Sequence, residues 1–128
     1  MCTNKGMRDL KLRTQRFAID CWKVCAKIPK SREYDAWTRQ LIRSSSSVGA
    51  NYRAARRAKS LADFIYKLKI VEEEVDESVY WLELFDEVLN PSNQDVQFLI
   101  KEANEILAIV VTAIKTSRKK RSKKVPTQ

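Results

Sequence analysis

The stretch LADFIYKLKIVEEEVDESVYWLELFDEVL, residues 61–89, decides the fold. Leu61, Phe64, Leu68, Val71, Val75, Ser78, Leu82, Phe85 and Leu89 recur at alternating steps of three and four, and only Ser78 among them is polar. That period is the seam of a bundle helix and not the alternation of a strand. Ser60 and Asp63, three apart, have the spacing of a capping box at its start. Asn90-Pro91-Ser92 supplies the stop.

The same reading extends outward in both directions. A stripe of Leu10, Phe17, Cys21, Val24, Cys25 and Ile28 predicts a helix near 8–27, closed by Pro29, because the residue before a proline is pushed out of the helical region. Tyr34, Trp37, Leu41, Ser44, Val48, Tyr52 and Ala55 predict a second over 33–57. Val96, Leu99, Ala103, Ile106, Val110 and Ile114 predict a fourth over 93–118. Short connections make sequential helices antiparallel neighbours, so the predicted fold is all-α, an up-down-up-down four-helix bundle over residues 1–118. Residues 119–128, rich in like charge, are predicted to form a basic disordered tail.

Composition removes several function classes. The 128 residues include no His, which excludes Ser-His-Asp and Cys-His catalysis and imidazole ligands. Cys2, Cys21 and Cys25 cannot complete a four-ligand zinc site within one chain; Cys21 and Cys25, four apart, read as reduced core residues. The acidic run Glu72-Glu73-Glu74 with Asp76 and Glu77 lies on one helix, with only Glu102 and Glu105 on the fourth helix and Asp9 and Asp20 on the first to join it and no His, so no metal, cofactor or small-molecule substrate is expected, and the chain is not expected to be an enzyme. No run of eighteen apolar residues occurs and the N-terminus lacks an apolar signal region, so the expectation is a cytoplasmic protein with no membrane partner.

The charge is segregated. Residues 1–69 carry 17 basic and 5 acidic groups, residues 70–114 one against 11, and residues 115–128 seven against none. An antiparallel bundle gathers the start of the first helix, the end of the second, the start of the third and the end of the fourth at one pole. Arg13, Arg16, Arg53, Arg56, Arg57, Lys59, Lys67 and Lys69, with Arg118, Lys119, Lys120 and Arg121 of the tail, are the candidate nucleic-acid-binding residues. Trp22, Trp37 and Trp81 fall in the other half, which favours reading of backbone or shape over base stacking.

Two further expectations concern packing. With a turn near residues 58–59, Arg43 should face Glu74 and Glu77 across the second and third helices, forming a partly buried structural ion pair. Ser44-Ser45-Ser46-Ser47-Val48-Gly49-Ala50 reads as a close-approach surface of small residues and not as a phosphate loop, since it lacks the P-loop spacing. Ile65, Ile70, Val79, Trp81, Leu84 and Val88 lie off the main stripe of the third helix; Trp81, Leu84 and Val88, with Trp22 and Trp37 nearby, are the candidate oligomer interface.

Arg43-Ser44, Ser46-Ser47-Val48-Gly49-Ala50-Asn51-Tyr52-Arg53, Ala58-Lys59-Ser60, Ala62-Asp63-Phe64-Ile65 and Lys67-Leu68-Lys69-Ile70 resemble the motif of the 23S rRNA intervening-sequence protein family, the four-helix-bundle proteins. Glu74, Asp76-Glu77, Tyr80-Trp81-Leu82-Glu83-Leu84 and Lys115-Thr116-Ser117-Arg118 are similar too, so the likeness spans roughly 10–120. Ala54 departs from it, standing where the family often has Glu, which leaves the pole more basic. The resemblance implies a bacterial protein, encoded within insertions in large-subunit rRNA genes, that assembles as a homopentameric ring and binds RNA. It also implies an alternative, because a related branch comprises the accessory proteins of diversity-generating retroelements, which bind a reverse transcriptase and its RNA.

Overall fold

The computed structural model describes residues 2–89 and 93–124, with side chains from 10 to 89 and 93 to 123. It contains α1 (Cys2–Lys27), α2 (Arg32–Arg56), α3 (Leu61–Val88) and α4 (Gln94–Lys124), and no strand among the described residues. α1 packs on α2 and α4, and α3 packs on α2 and α4; among the described residues the α1 and α3 backbones do not approach closely, so they stand diagonally across the bundle.

Local chemistry sets the helix ends. Ser31 caps α2, its Oγ accepting from Tyr34 N at 3.0 Å. Ser60 Oγ accepts from Asp63 N at 3.0 Å, while Asp63 Oδ2 accepts from Lys59 N at 3.1 Å, which satisfies donors at the start of α3. Asn93 Oδ1 serves Asp95 N and Val96 N at 2.8 and 3.2 Å. Two ends differ from the sequence expectation. α1 begins at Cys2, six residues earlier than expected, and α4 runs to Lys124, so residues 119–124 are helical where a disordered tail was expected. Lys and Arg are good helix formers, no proline interrupts before Pro126, and cations complement the negative end of the macrodipole. The expected break at 90–92 and the tail end 125–128 lie outside the described residues.

One continuous core fills the bundle. Leu68, Val71, Val75, Leu82 and Phe85 of the α3 seam are fully buried against Leu10, Phe17 and Cys21 of α1, Leu41 and Val48 of α2 and Val96, Leu99 and Ile106 of α4. Phe85 anchors the pole away from the α2–α3 turn, with Trp37 edge-on at 5.7 Å and Tyr34 stacked at 6.3 Å. The small-residue segment works by close approach. A Cβ added at Gly49 would lie 3.3 Å from Thr14 Oγ1, so α1 and α2 nearly touch there. Across the bundle, the buried hydroxyls of Ser44 and Ser78 are hydrogen-bonded at 2.8 Å. Cys21 and Cys25 are free and buried, and burial pushes both thiols up, Cys25 to about 11.

Candidate nucleic-acid interface

The end of α2 presents Arg53, Arg56 and Arg57 as its last turn and C-cap. Helical spacing sends them outward while Tyr52 and Ala55 point into the core. Burial raises the Tyr52 phenol pKa, an effect opposed by the nearby Arg56 charge. Lys11 of α1 closes the other side, and a cavity of about 220 Å³ is lined by Lys11, Arg53, Arg56 and Arg57 with no acidic group. A wider depression of about 510 Å³ is lined by Ala50, Arg53, Ala54, Arg57 and Lys67. A groove of about 250 Å³ between α1 and α2 again includes Lys11 and Arg53, floored by Thr14, Gly49 and Ala50. Arg53 therefore borders three concavities, one of them lined by Gly49 and Thr14 at the close α1–α2 approach. Among the described residues none of the three arginines has a carboxylate within ion-pair distance.

The other candidates are placed differently. Arg13 Nε and Nη2 donate to Glu102 at 3.0 and 2.7 Å and Nη2 also reaches Glu105 at 3.1 Å, and this clasp raises the guanidinium pKa, with the Glu102 hydrogen bond as the largest cause. Arg13 is a tie between α1 and α4, not an open phosphate donor. Arg16 is exposed and loosely paired with Asp20 at 3.8 Å. Lys67 Nζ holds Asp63 at 2.9 Å, which keeps that carboxyl below its ordinary range. Lys59 and Lys69 are exposed, as are Arg118, Lys119, Lys120 and Arg121 near the α4 end.

Arg43, expected partly buried, is about half exposed; Nη1 lies 3.3 Å from Glu74 Oε1 and Nη2 lies 2.5 Å from Glu77 Oε2. Glu77 also accepts from Trp81 Nε1 at 3.0 Å, and these two donors, the indole first, depress its pKa. The candidate interface residues do not form one patch. Trp37 packs into the core margin, Trp81 is tied to Glu77, and Leu84 is half-buried. Val88 is exposed on α3 but Trp22, 60% exposed, is on α1, across the diagonal. Ile65 and Val79, off the main seam, are buried within the same chain because the α3 stripe serves both α2 and α4. Lys11, which falls at the same pole by sequence, is absent from the candidate binding residues, and sequence reasoning passes over Leu12 and Tyr66 as exposed apolar groups. The signal for Tyr66 is its spacing: Tyr66, Lys69, Glu73, Asp76 and Tyr80 make an outward stripe at steps of three and four.

The fold and pole define a class: an antiparallel helical bundle with a concentrated basic end. The chain belongs to the 23S rRNA-intervening sequence protein family, whose model matches residues 9–112. A similar solved structure is a protein of unknown function from the S23 ribosomal protein family of Bacteroides thetaiotaomicron VPI-5482, 29% identical, with a TM-score of 0.78, covering 86% of this chain and 98% of that one. No curated protein matches the chain. Among the described residues no helix is long and apolar enough to cross a membrane.

Proposed function

We propose that this chain is a non-enzymatic RNA-binding protein that uses its basic pole, repeated around a homopentameric ring, to contact phosphates of structured RNA associated with large-subunit rRNA. The observation that carries the reading is the cavity lined by Lys11, Arg53, Arg56 and Arg57, four cations with no carboxylate among them. Four like charges held around one concavity repel one another unless an anion sits between them, and a phosphate supplies that anion. The wider depression beside Arg53 and Arg57 enlarges the surface, with the Asp63-paired Lys67 at its border, and the cationic end of α4 extends it. The family's name supports the RNA class and the family resemblance supplies the number five. A ring multiplies weak contacts through effective concentration. The absence of His from the sequence supports a non-enzymatic role. The adaptor reading, with a reverse transcriptase as partner, has no observation in its favour.

The test is charge reversal at two places. Arg56→Glu with Arg57→Glu alters the pole without touching the core, and should abolish most binding to structured rRNA fragments while helicity and apparent mass stay unchanged. Lys30→Glu with Arg39→Glu makes the same change in net charge at exposed positions in the other half, and should cost much less. Equal losses would mean that only net charge matters; no loss in either would overturn the RNA-binding reading.

A further inference from the structure

The cavity lined by Lys11, Arg53, Arg56 and Arg57 has a size and a charge that discriminate between kinds of phosphate. Its volume, about 220 Å³, falls below the roughly 300 Å³ at which pockets for whole small molecules begin, so it fits one group and not a complete nucleotide. Arg53, Arg56 and Arg57 stand at i, i+3 and i+4 of one helix, where like charges repel, and Lys11 adds a fourth cation from α1. An internal phosphate of a nucleic acid carries one negative charge and offers two non-bridging oxygens. A phosphomonoester carries close to two charges at neutral pH and offers three strong acceptor oxygens. Three guanidinium forks and an ammonium around one small concavity match the monoester better in charge and in donors.

The groove between α1 and α2 supplies a neighbour for that group. It holds about 250 Å³ and shares Lys11 and Arg53 with the cavity, so the two adjoin. Ala18, Gly49 and Ala50 line it, and no side chain longer than a methyl group fills the groove at those positions. Its other lining groups are uncharged: the exposed Gln15 carboxamide and the hydroxyls of Thr14 and Ser46. Those hydroxyls already donate to Leu10 O and Ile42 O at 2.7 and 2.6 Å, which leaves them as acceptors. A sugar brings hydroxyl donors and a shape that such a groove can hold. We propose that the cavity takes the terminal phosphomonoester of an RNA strand, with the sugar of the end nucleotide in the α1–α2 groove. This rests on the RNA-binding reading and adds to it that the protein selects a phosphorylated strand end over a stretch of backbone. The depression of about 510 Å³ on the α3 side of Arg53 is broader, and there a diester backbone can pass.

The experiment uses the full chain and one hairpin RNA, labelled in its loop and prepared with a 5′-phosphate, a 3′-phosphate or hydroxyls at both ends. A phosphorylated form should bind about tenfold more tightly than the hydroxyl form, the effect of one added charge-assisted contact, and the form that does so assigns the strand end. Arg56→Gln, a change at an exposed side chain with helicity as the check on folding, should remove that preference. Arg118→Gln, at the exposed end of α4, should weaken all three RNAs by the same factor. Equal affinity for the three RNAs, or a preference that survives Arg56→Gln, would overturn the terminal-phosphate site and leave RNA binding in place. Failure of every form to bind would overturn the functional reading, and adenosine 5′-monophosphate then separates the two failures. A melting temperature raised by that nucleotide in the unaltered chain but not in Arg56→Gln would make a free nucleotide the source of the phosphate and overturn the RNA end. No rise in either would overturn the site altogether.

Discussion

Arg13 on α1 and Arg53 on α2 both belong to the surface expected from sequence to bind nucleic acid, and their surroundings are opposite. Arg13 is clasped by Glu102 and Glu105 of the neighbouring helix, with the nearest oxygen at 2.7 Å. Arg43, at the middle of the bundle, is held the same way by Glu74 and Glu77. Arg53 instead borders three concavities alongside Lys11, Arg56, Arg57 and Lys67. Arg13 and Arg43 are neutralised arginines that fix helix register; Arg53, Arg56 and Arg57 at the α2 end are unneutralised. A count of positive charge treats the two alike. What separates them is which carboxylates the topology brings within reach, and a guanidinium already bonded to carboxylates must break those bonds before it serves a phosphate.

The largest effect is expected from inverting the Arg13 clasp. Arg13→Glu sets three carboxylates together at a half-buried position and should lower stability by about 2 kcal/mol at neutral pH. Chemical denaturation would measure it, and the loss should shrink as pH falls and the carboxylates protonate. An unchanged midpoint would show that the α1–α4 clasp holds nothing.

A smaller change sharpens the other side of the comparison. Ala54 lines the depression with Arg53, Arg57 and Lys67. Ala54→Glu would introduce an acid there, neutralise part of the field and weaken RNA binding by about fivefold, near 1 kcal/mol, with stability unchanged or slightly raised. Binding isotherms at low salt would read it. An affinity equal to that of the unaltered protein would place the RNA contacts elsewhere.

The smallest effect concerns Glu77, whose carboxyl the Trp81 indole and Arg43 hold below its ordinary range. A depressed native pKa adds stability that is present above the unfolded value, near 4.3, and is lost as pH falls through the native pKa. The melting temperature should therefore drop on acidification below about pH 5 less steeply in Glu77→Gln than in the unaltered chain. The difference is a few tenths of a kcal/mol, because Arg43 is half exposed and the pair is solvent-screened. Identical slopes would remove Glu77 from the acid response.

The α3 seam was legible because nine positions kept one period over the whole helix, and the buried α3 residues from Leu68 to Phe85, Val79 excepted, lie on it. Ser60 and the small residues around Gly49 act locally, so their roles as a cap and as a close approach follow from neighbours in sequence. The Arg43 partners were readable by counting back from one short turn. The clasp on Arg13 was not, because Glu102 is 89 residues away and its alignment depends on the α1–α4 register that only the closed bundle fixes. For the same reason Trp22 was expected near α3. Its sequence shows an apolar side chain among polar neighbours, but only the order of helices around the bundle puts it on the opposite side. The helical run to Lys124 was hidden because lysine and arginine serve a helix end and a solvated tail equally well.

The most direct measurement compares Arg53→Gln with Arg13→Gln, two variants of identical net charge, by titrating a structured rRNA fragment across a series of salt concentrations and recording each melting temperature. Arg53→Gln is expected to weaken binding and reduce the salt slope by about one unit while leaving the melting temperature in place. Arg13→Gln is expected to lower the melting temperature and keep the slope. Equal slopes in the two variants, or a larger loss of affinity in Arg13→Gln, would contradict the division between clasped and open arginines.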